Sequence, residues 1–149
     1  MKRMDPQLVV EAQDPSHGRR TTITWADRSF TMEGDNQVAH GGTGDGPDGF
    51  DMISAALGQC LLTTLLRRAQ RDGVALRSAK AVVSTKARLR GNDLAPYLSD
   101  FKVDIHLDGD LDEATCAELE EATRTLCGVR ETLLRAANIE EHVHLGPGP

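Results

Sequence analysis

The cysteines are the side chains of this sequence best suited to redox chemistry. There are three of them, Cys60, Cys116 and Cys127. A thiolate is a nucleophile that can be oxidised to a sulfenic acid and then, with a second thiol, to a disulfide. Cys116 and Cys127 are eleven residues apart, which places them on nearly the same helix face but about 16 Å apart along the axis. They cannot bridge each other within one helix. If Cys60 has a disulfide partner, Cys127 is the better candidate because it adjoins a predicted helix break at Gly128.

The setting of Cys60 allows two interpretations. It lies in an apolar helical segment, where Ile53, Ala56 and Leu57 are its neighbours by helical spacing. A free cysteine in such surroundings packs as a small hydrophobic side chain and is inert. Because apolar burial raises the pKa of a thiol, a reactive Cys60 needs a cation from elsewhere in the protein.

The elements that would position these cysteines follow from periodicity and from turn and capping signals. In chain order, we predict strands at residues 8–10, 21–25 and 30–32 and then a glycine-rich loop at 41–47. A long helix follows, capped by Asp48 and Asp51 and stopped by Gly73. After it we predict strands at 79–89 and 98–107, a helix from 110–113 to Cys127, a short helix at 129–137 and an end strand at 139–145. This order predicts an α+β fold with antiparallel sheets around a long buried helix. We expect one domain over residues 1–149, with 1–7 and 146–149 frayed.

The long helix is apolar on nearly every face. A chain of 149 residues has too little material to cover such a helix alone. A second copy of the chain could pack its own helix alongside, so the sequence predicts an obligate homodimer with a large apolar interface.

Composition excludes several classes of function. Seventeen Lys and Arg against 23 Asp and Glu give a net charge of −6, which repels nucleic acid, and aromatic residues make up only 3%. The apolar stretch at residues 50–66 is interrupted and ends at two arginines, so we expect a core helix rather than a membrane span. With no export signal expected and an odd number of cysteines, we predict a cytoplasmic protein with reduced or redox-active thiols.

Two segments resemble a known family. Residues 46–60 read GPDGFDMISAALGQC, which is similar to the G-P-x-x-F-D-L-L-x-A-A-L-G-x-C segment of the OsmC/Ohr proteins. Residues 127–133 read CGVRETL, which is similar to their C-P-V-H-x-T-L segment. The LDGDL stretch at residues 107–111 also fits, so the resemblance extends from Gly41 to about Val143.

This resemblance implies the OsmC-like fold, an intertwined homodimer and thiol-dependent peroxidase activity in oxidative-stress defence. By position, Cys60 resembles the peroxidatic thiol and Cys127 the resolving thiol. The implied partners are a small organic hydroperoxide and a thiol or dithiol reductant, with no metal or organic cofactor. The alternative is a non-catalytic OsmC-like dimer that binds a small lipophilic ligand in the crevice near Cys60.

The sequence departs from the family pattern around both cysteines. Gly128 stands where the family has proline and Arg130 where it has histidine, which predicts altered mobility around Cys127 and altered resolution. Active members hold the thiolate with an arginine from the N-terminal region, supported by an acidic residue near the start of the central helix. The candidates for these roles here are Arg19, Arg20, Arg28 and Asp51, and Asp51 has an equal claim to be a helix-capping carboxylate.

Histidines offer a weaker metal hypothesis. His142 and His144 alternate onto one predicted strand face, and His40 or His106 could add a third ligand. We favour an exposed strand face over a metal site.

Overall fold

The structure is a computed structural model that describes residues 8–12, 21–25, 31–89, 91, 95–135 and 139–145 of the 149-residue chain. The frayed ends predicted at residues 1–7 and 146–149 lie outside the described residues. So do three of the predicted thiolate-stabilising candidates, Arg19, Arg20 and Arg28.

The first three strands form the predicted antiparallel meander. Strands β1 (Leu8–Ala12), β2 (Thr21–Trp25) and β3 (Thr31–Gly34) make a sheet of order β1-β2-β3. The register places Ile23 of β2 between Val10 of β1 and Met32 of β3. Ile23 is buried, as expected when β-branched residues alternate on a sheet with one covered face.

The long helix α1 (Gly49–Arg71) begins and ends where the sequence predicts. The Asp48 carboxylate accepts the backbone N–H groups of Phe50 and Asp51, and the Asp51 carboxylate accepts the N–H of Asp48. This reciprocal pair is the predicted capping box. At the other end Gly73 takes a left-handed φ of 72°, a conformation that stops a helix and that glycine adopts without strain.

Two long strands follow α1 and pair with each other, as predicted. Strands β4 (Leu76–Arg88) and β5 (Tyr97–Gly109) form a two-stranded antiparallel sheet. Strand β4 begins three residues before its predicted start and ends one residue before its predicted end, whereas β5 extends beyond its predicted bounds at both ends.

The last helices are α2 (Glu113–Leu126) and α3 (Gly128–Leu134). Asp112 is the N-cap of α2, and its side chain accepts the Thr115 N–H at 2.8 Å. Between the two helices, only Cys127 is non-helical, so the break falls one residue before the glycine that the sequence indicates.

The predicted end strand at residues 139–145 is wrong for this chain. These residues form neither helix nor strand, and the side chains of Ile139, Val143 and Leu145 are exposed. Alternating apolar and polar residues indicate a segment that could form a strand. A strand also needs a neighbouring strand that hydrogen-bonds to its backbone and a surface that covers its apolar face. Within the part of the chain that the structure describes, residues 139–145 have neither.

The chain divides into two compact units. The first unit takes its described residues from 1–56 and 83–102, and the second takes its described residues from 57–82 and 103–149. The second unit has a core of Leu65 and Ala69 from α1 and Leu119 from α2, with partly buried side chains of Val74, Leu76, Ile105 and Leu107 around it.

Helix α1 buries one stripe within a single chain. The buried residues are Leu57, Gly58, Leu61, Leu65 and Ala69. Apolar side chains on its other faces, such as Phe50, Ile53 and Leu66, are exposed. Within the described part of the chain, α1 alone is long and apolar enough to cross a membrane, and the core helix of a soluble protein meets the same criteria.

Candidate active site

Two of the three cysteines come together in the second unit. Cys60 lies in the middle of α1 and is half-buried, whereas Cys127 is completely buried at 0% exposure. The Cys60 thiol is a near neighbour of the Cys127 thiol and interacts with it electrostatically. Cys116 lies at the opposite end of α2, about 16 Å from Cys127 along the helix axis. The structure therefore supplies one adjacent pair of thiols, and this pair is the one that the sequence favours.

Cys60 is placed by the buried stripe of α1. Leu57, one turn before Cys60, and Leu61, the residue after it, are both buried. They hold this part of α1 in the second unit. One turn later, the Thr64 hydroxyl donates to the Cys60 carbonyl oxygen at 2.9 Å. The backbone at Cys60 is thus fixed in the helix, and its half-buried thiol is the more accessible member of the pair.

Cys127 forms the junction between two helices. It is the C-cap of α2 and the N-cap of α3, in an extended conformation with φ −81° and ψ 108°. Its carbonyl oxygen accepts the Glu131 N–H at 3.1 Å, which begins α3. Its Sγ accepts the Arg130 N–H at 3.5 Å, within the range for sulfur as acceptor. A thiol here occupies the position that a serine or aspartate oxygen usually fills at a helix N-cap.

The surroundings of Cys127 keep its thiol protonated. Burial is the largest cause of a raised pKa, and the neighbouring Cys60 raises the pKa further. The backbone N–H groups of Arg130 and Val129 act in the opposite direction but do not outweigh burial. Because a thiolate and not a thiol attacks sulfur, Cys127 is suited to react second, after a proton has been removed.

Arg130 lies beside this junction. Its guanidinium Nη1 donates to the Arg124 carbonyl oxygen at 3.1 Å and approaches Glu131 Oε1 at 3.4 Å. The Glu131 carboxylate also binds the Arg135 guanidinium, at 3.1 Å from Nη2. Arg130 is therefore held in place on both sides of Cys127.

Asp51 has the helix-capping role that the sequence allowed as one of its two interpretations. Its carboxylate is exposed and accepts the Asp48 N–H at 3.1 Å. The structure places Asp51 in the first unit, at the start of α1, and Cys60 in the second.

Asp35, a residue that the sequence motifs do not single out, organises the loop before α1. Asp35 is 5% exposed, and its carboxylate accepts the backbone N–H groups of Asn36, Thr43 and Asp45 as well as the Thr43 hydroxyl. These bonds, with the Thr43 hydroxyl contributing most, lower the pKa of Asp35 to about 2. In the sequence, the Gly34-Asp35 pair indicates a turn but gives no sign that the carboxylate closes the loop.

The histidine pair of the metal hypothesis lies in the exposed C-terminal segment. The rings of His142 and His144 are 6.4 Å apart between centroids and tilted by 36°. Within the described ranges, no three His, Cys, Asp or Glu side chains are grouped so that they could hold a metal ion.

Comparison with known proteins identifies the family. The sequence model for the family described as OsmC-like protein matches residues 42–142. No curated protein matches the sequence.

Several solved structures share the fold at low sequence identity. An OsmC-like protein from Mycoplasma pneumoniae has a TM-score of 0.74 and 15% identity, covering 90% of this chain and 89% of its own. An organic hydroperoxide resistance protein OsmC from Legionella pneumophila has a TM-score of 0.66 and 11% identity, with 87% and 89% covered. An organic hydroperoxide resistance protein from Elizabethkingia anophelis has a TM-score of 0.66 and 11% identity, with 89% and 91% covered. Identities this low establish the fold alone.

Proposed function

The chain belongs to the family of OsmC-like proteins, and from this premise we propose that it is a thiol-dependent peroxidase that reduces organic hydroperoxides. Family membership and fold neighbours named for organic hydroperoxide resistance support a peroxide-related redox role. The observation that carries the proposal is the adjacency of Cys60 and Cys127. Cys60 in α1 and Cys127 at the junction of α2 and α3 are neighbouring thiols, and a disulfide can join two such thiols where their Cβ atoms come within about 3.5–4.5 Å.

In the proposed reaction, Cys60 is oxidised first. Its thiolate attacks the terminal oxygen of the hydroperoxide, the O–O bond breaks, and the alkoxide takes up a proton and leaves as the alcohol. Cys60 is then a sulfenic acid. The Cys127 thiol gives up its proton, its thiolate attacks the Cys60 sulfur, and the sulfenic oxygen leaves as hydroxide, which takes up a proton to become water. A thiol or dithiol reductant returns two electrons and two protons to restore both thiols.

The different surroundings of the two cysteines support this division of roles. A peroxidatic thiol must meet the substrate, and Cys60 is the more accessible of the pair. A resolving thiol must wait until the first has been oxidised, and Cys127 is completely buried with a raised pKa. The chemistry needs no metal and no organic cofactor.

A cation that holds the Cys60 thiolate is part of the proposal. We assign this role to one of the three arginines suggested by the family resemblance, which are Arg19, Arg20 and Arg28. Because Asp51 is the capping carboxylate of α1, we expect its substitution to affect helix stability before it affects the thiolate.

We further propose that the active form is a cytoplasmic homodimer. The supporting observation is the apolar surface of α1 that the single chain leaves exposed, including Phe50, Ile53 and Leu66. Burying surface of this kind stabilises association by about 25 cal/mol per Å² before the entropy of association is subtracted. Light scattering should report a dimer at micromolar concentration, and a well-folded monomer would contradict this part of the proposal.

The peroxidase proposal is tested by one turnover. Fully reduced protein receives one equivalent of an alkyl hydroperoxide, and its cysteines are then mapped by peptide mass. We expect one equivalent of alcohol, a Cys60–Cys127 disulfide and an unmodified Cys116. Cys60→Ser should lower the rate of peroxide consumption by at least about a thousandfold, as loss of the nucleophile does in covalent catalysis. Cys116→Ser is the matched control and should retain the wild-type rate.

Recovery of unmodified Cys60 from folded wild-type protein would overturn the proposal. Binding of an apolar dye under the same conditions, with no thiol oxidised, would instead favour the alternative of a dimer that holds a lipophilic ligand.

A further inference from the structure

Arg130 contacts both helices that meet at Cys127. The last four carbonyl groups of a helix have no partner within that helix, and the Arg124 carbonyl is one of them in α2. The Arg130 guanidinium donates to this carbonyl at 3.1 Å, while the Arg130 backbone N–H donates to Cys127 Sγ at 3.5 Å. One residue thus binds the end of α2 with its side chain and the cysteine with its backbone.

The two contacts restrict the junction in a specific way. Cys127 is the single non-helical residue between α2 and α3, so its backbone angles set the direction in which α3 leaves α2. The Arg130 side chain spans this hinge from the α3 side to the α2 side. Without that bond, α3 could rotate about Cys127 and carry the Arg130 N–H away from the sulfur.

The guanidinium is itself held in position. Glu131 Oε1 lies 3.4 Å from Arg130 Nη1, and the other Glu131 oxygen accepts from Arg135. The Arg130 and Glu131 side chains are only 37% and 40% exposed. A planar guanidinium with several donors can serve a carbonyl and a carboxylate at the same time.

We propose that Arg130 is a positioning residue that holds the Cys127 sulfur toward Cys60, and that it accelerates formation of the Cys60–Cys127 disulfide without taking part in the oxidation of Cys60. This inference rests on the proposed function for the identity of the oxidant but not for the geometry of the disulfide. Disulfide formation requires Cβ atoms about 3.5–4.5 Å apart and a restricted torsion. A sulfur that is no longer held by the Arg130 N–H would meet this geometry less often.

The test separates formation of the disulfide from the oxidation that precedes it. In the first arm, reduced protein receives one equivalent of alkyl hydroperoxide, and sulfenic acid and disulfide are quantified over time after acid quenching. We expect Arg130→Met to slow conversion of sulfenic acid to disulfide about tenfold and to leave Cys60 oxidation within about twofold of wild type. Arg130→Lys keeps the charge and one donor, and it should recover part of the rate.

The second arm needs no peroxide. Oxidised glutathione forms a mixed disulfide at Cys60, and Cys127 then attacks the Cys60 sulfur and releases the second glutathione as a thiolate. Arg130→Met should slow this release by a similar factor. If wild-type Cys60 fails to react with peroxide but the glutathione arm still shows the Arg130 effect, the peroxidase proposal fails and the positioning role stands.

Arg124→Met is the matched control. It removes a guanidinium from the same end of α2, where that group pairs with Glu120 at 2.6 Å, but it keeps the carbonyl that Arg130 binds. Its rates in both arms should stay within twofold of wild type. Disulfide formation at the wild-type rate in folded Arg130→Met, or equal slowing in Arg124→Met, would overturn the assignment.

Discussion

Two short connections of this chain start helices in contrasting ways. The helix-entry loop, residues 35–48, is built around the Asp35 carboxylate, which accepts three backbone N–H groups and a hydroxyl. The cysteine junction, residues 124–131, is built around the Cys127 thiol, which accepts one N–H at 3.5 Å. An ionised carboxylate is a strong acceptor and a neutral thiol is a weak one. The helix-entry loop is therefore suited to keep its conformation, and the cysteine junction can exchange its hydrogen bond for a disulfide.

The largest expected effect comes from removing sulfur from the cysteine junction. Cys127→Ser keeps an oxygen acceptor at the N-cap of α3, so we expect the Tm to change little. Peroxide turnover with a dithiol reductant should fall by about a hundredfold or more, because Cys60 sulfenic acid accumulates with no resolving thiol. A coupled assay gives turnover, and a sulfenic acid probe detects the trapped state.

The control for this change is Cys116→Ser, which removes a thiol from the same helix but away from Cys60. Its turnover should match wild type. Equal turnover in Cys127→Ser and wild type would show that the cysteine junction is as purely structural as the helix-entry loop, and the contrast between them would be lost.

The next effect is on the helix-entry loop and concerns stability. Asp35→Asn keeps the shape of the side chain but removes its charge and replaces one acceptor oxygen with a donor. We expect a Tm lower by several degrees, with unchanged peroxidase rate per folded molecule. Glu33→Gln removes one charge from an exposed position of β3 and serves as the control.

Acid titration sharpens this prediction. The pKa of Asp35 is about 2 in the folded protein and has an ordinary value of 3.8. Below 3.8 the unfolded chain binds more protons than the folded one at this site, so the contribution of Asp35 to stability is lost as the pH falls toward 2. Chemical denaturation between pH 2 and 5 should show this loss in wild type and a shallower slope in Asp35→Asn. Identical slopes would contradict the role of Asp35.

How far the sequence predicted these regions depended on the range of the interactions. The capping box at Asp48 and Asp51 and the meander of β1 to β3 follow from local spacing, and the structure confirms them. The role of Asp35 depends on Thr43, eight positions later in the chain, folding back onto its carboxylate. The periodicity of the sequence does not indicate that the helix-entry loop closes onto this carboxylate.

The cysteine junction shows the same limit. The sequence favoured Cys127 as the partner of Cys60, but it could not show that two helices would bring the thiols together. It also placed the break at Gly128, because glycine is the usual signal for a helix end. The structure places the break at Cys127, where a thiol caps the next helix. Residues 139–145 have the alternation of a strand, but a pairing edge is a property of the assembled fold and not of the segment.

The glycines of the two connections give a matched pair of substitutions. A Cβ added at Gly42 would overlap the Asn36 carbonyl, whereas a Cβ at Gly128 meets nothing within 4 Å. Gly42→Ala should destabilise the protein by about 1–3 kcal/mol, because the backbone of the helix-entry loop must move. Gly128→Ala should be neutral or stabilising by up to about 1 kcal/mol, since alanine lowers the entropy of the unfolded chain and favours α3.

Urea denaturation of the two variants measures this difference directly. A similar loss of stability in both would mean that the cysteine junction is packed as closely as the helix-entry loop.

The smallest expected effect is the alkaline counterpart of the Asp35 titration. Burial raises the pKa of Cys127 above its ordinary value of 9.0. Above pH 9 the unfolded chain releases this proton before the folded protein does, so the stability that Cys127 contributes is complete below pH 9 and is lost as the pH rises through its folded pKa. Reduced wild-type protein should therefore lose stability between pH 9 and 10.5 more steeply than reduced Cys127→Ser, measured by urea denaturation under a non-thiol reductant.

The Asp35→Asn variant should keep the alkaline slope of wild type, because the carboxylate that it lacks titrates only in acid. If stability falls with pH at the same slope in wild type and Cys127→Ser, the Cys127 thiol is solvated. The cysteine junction would then lack the buried, protonated thiol that the proposed resolving role requires.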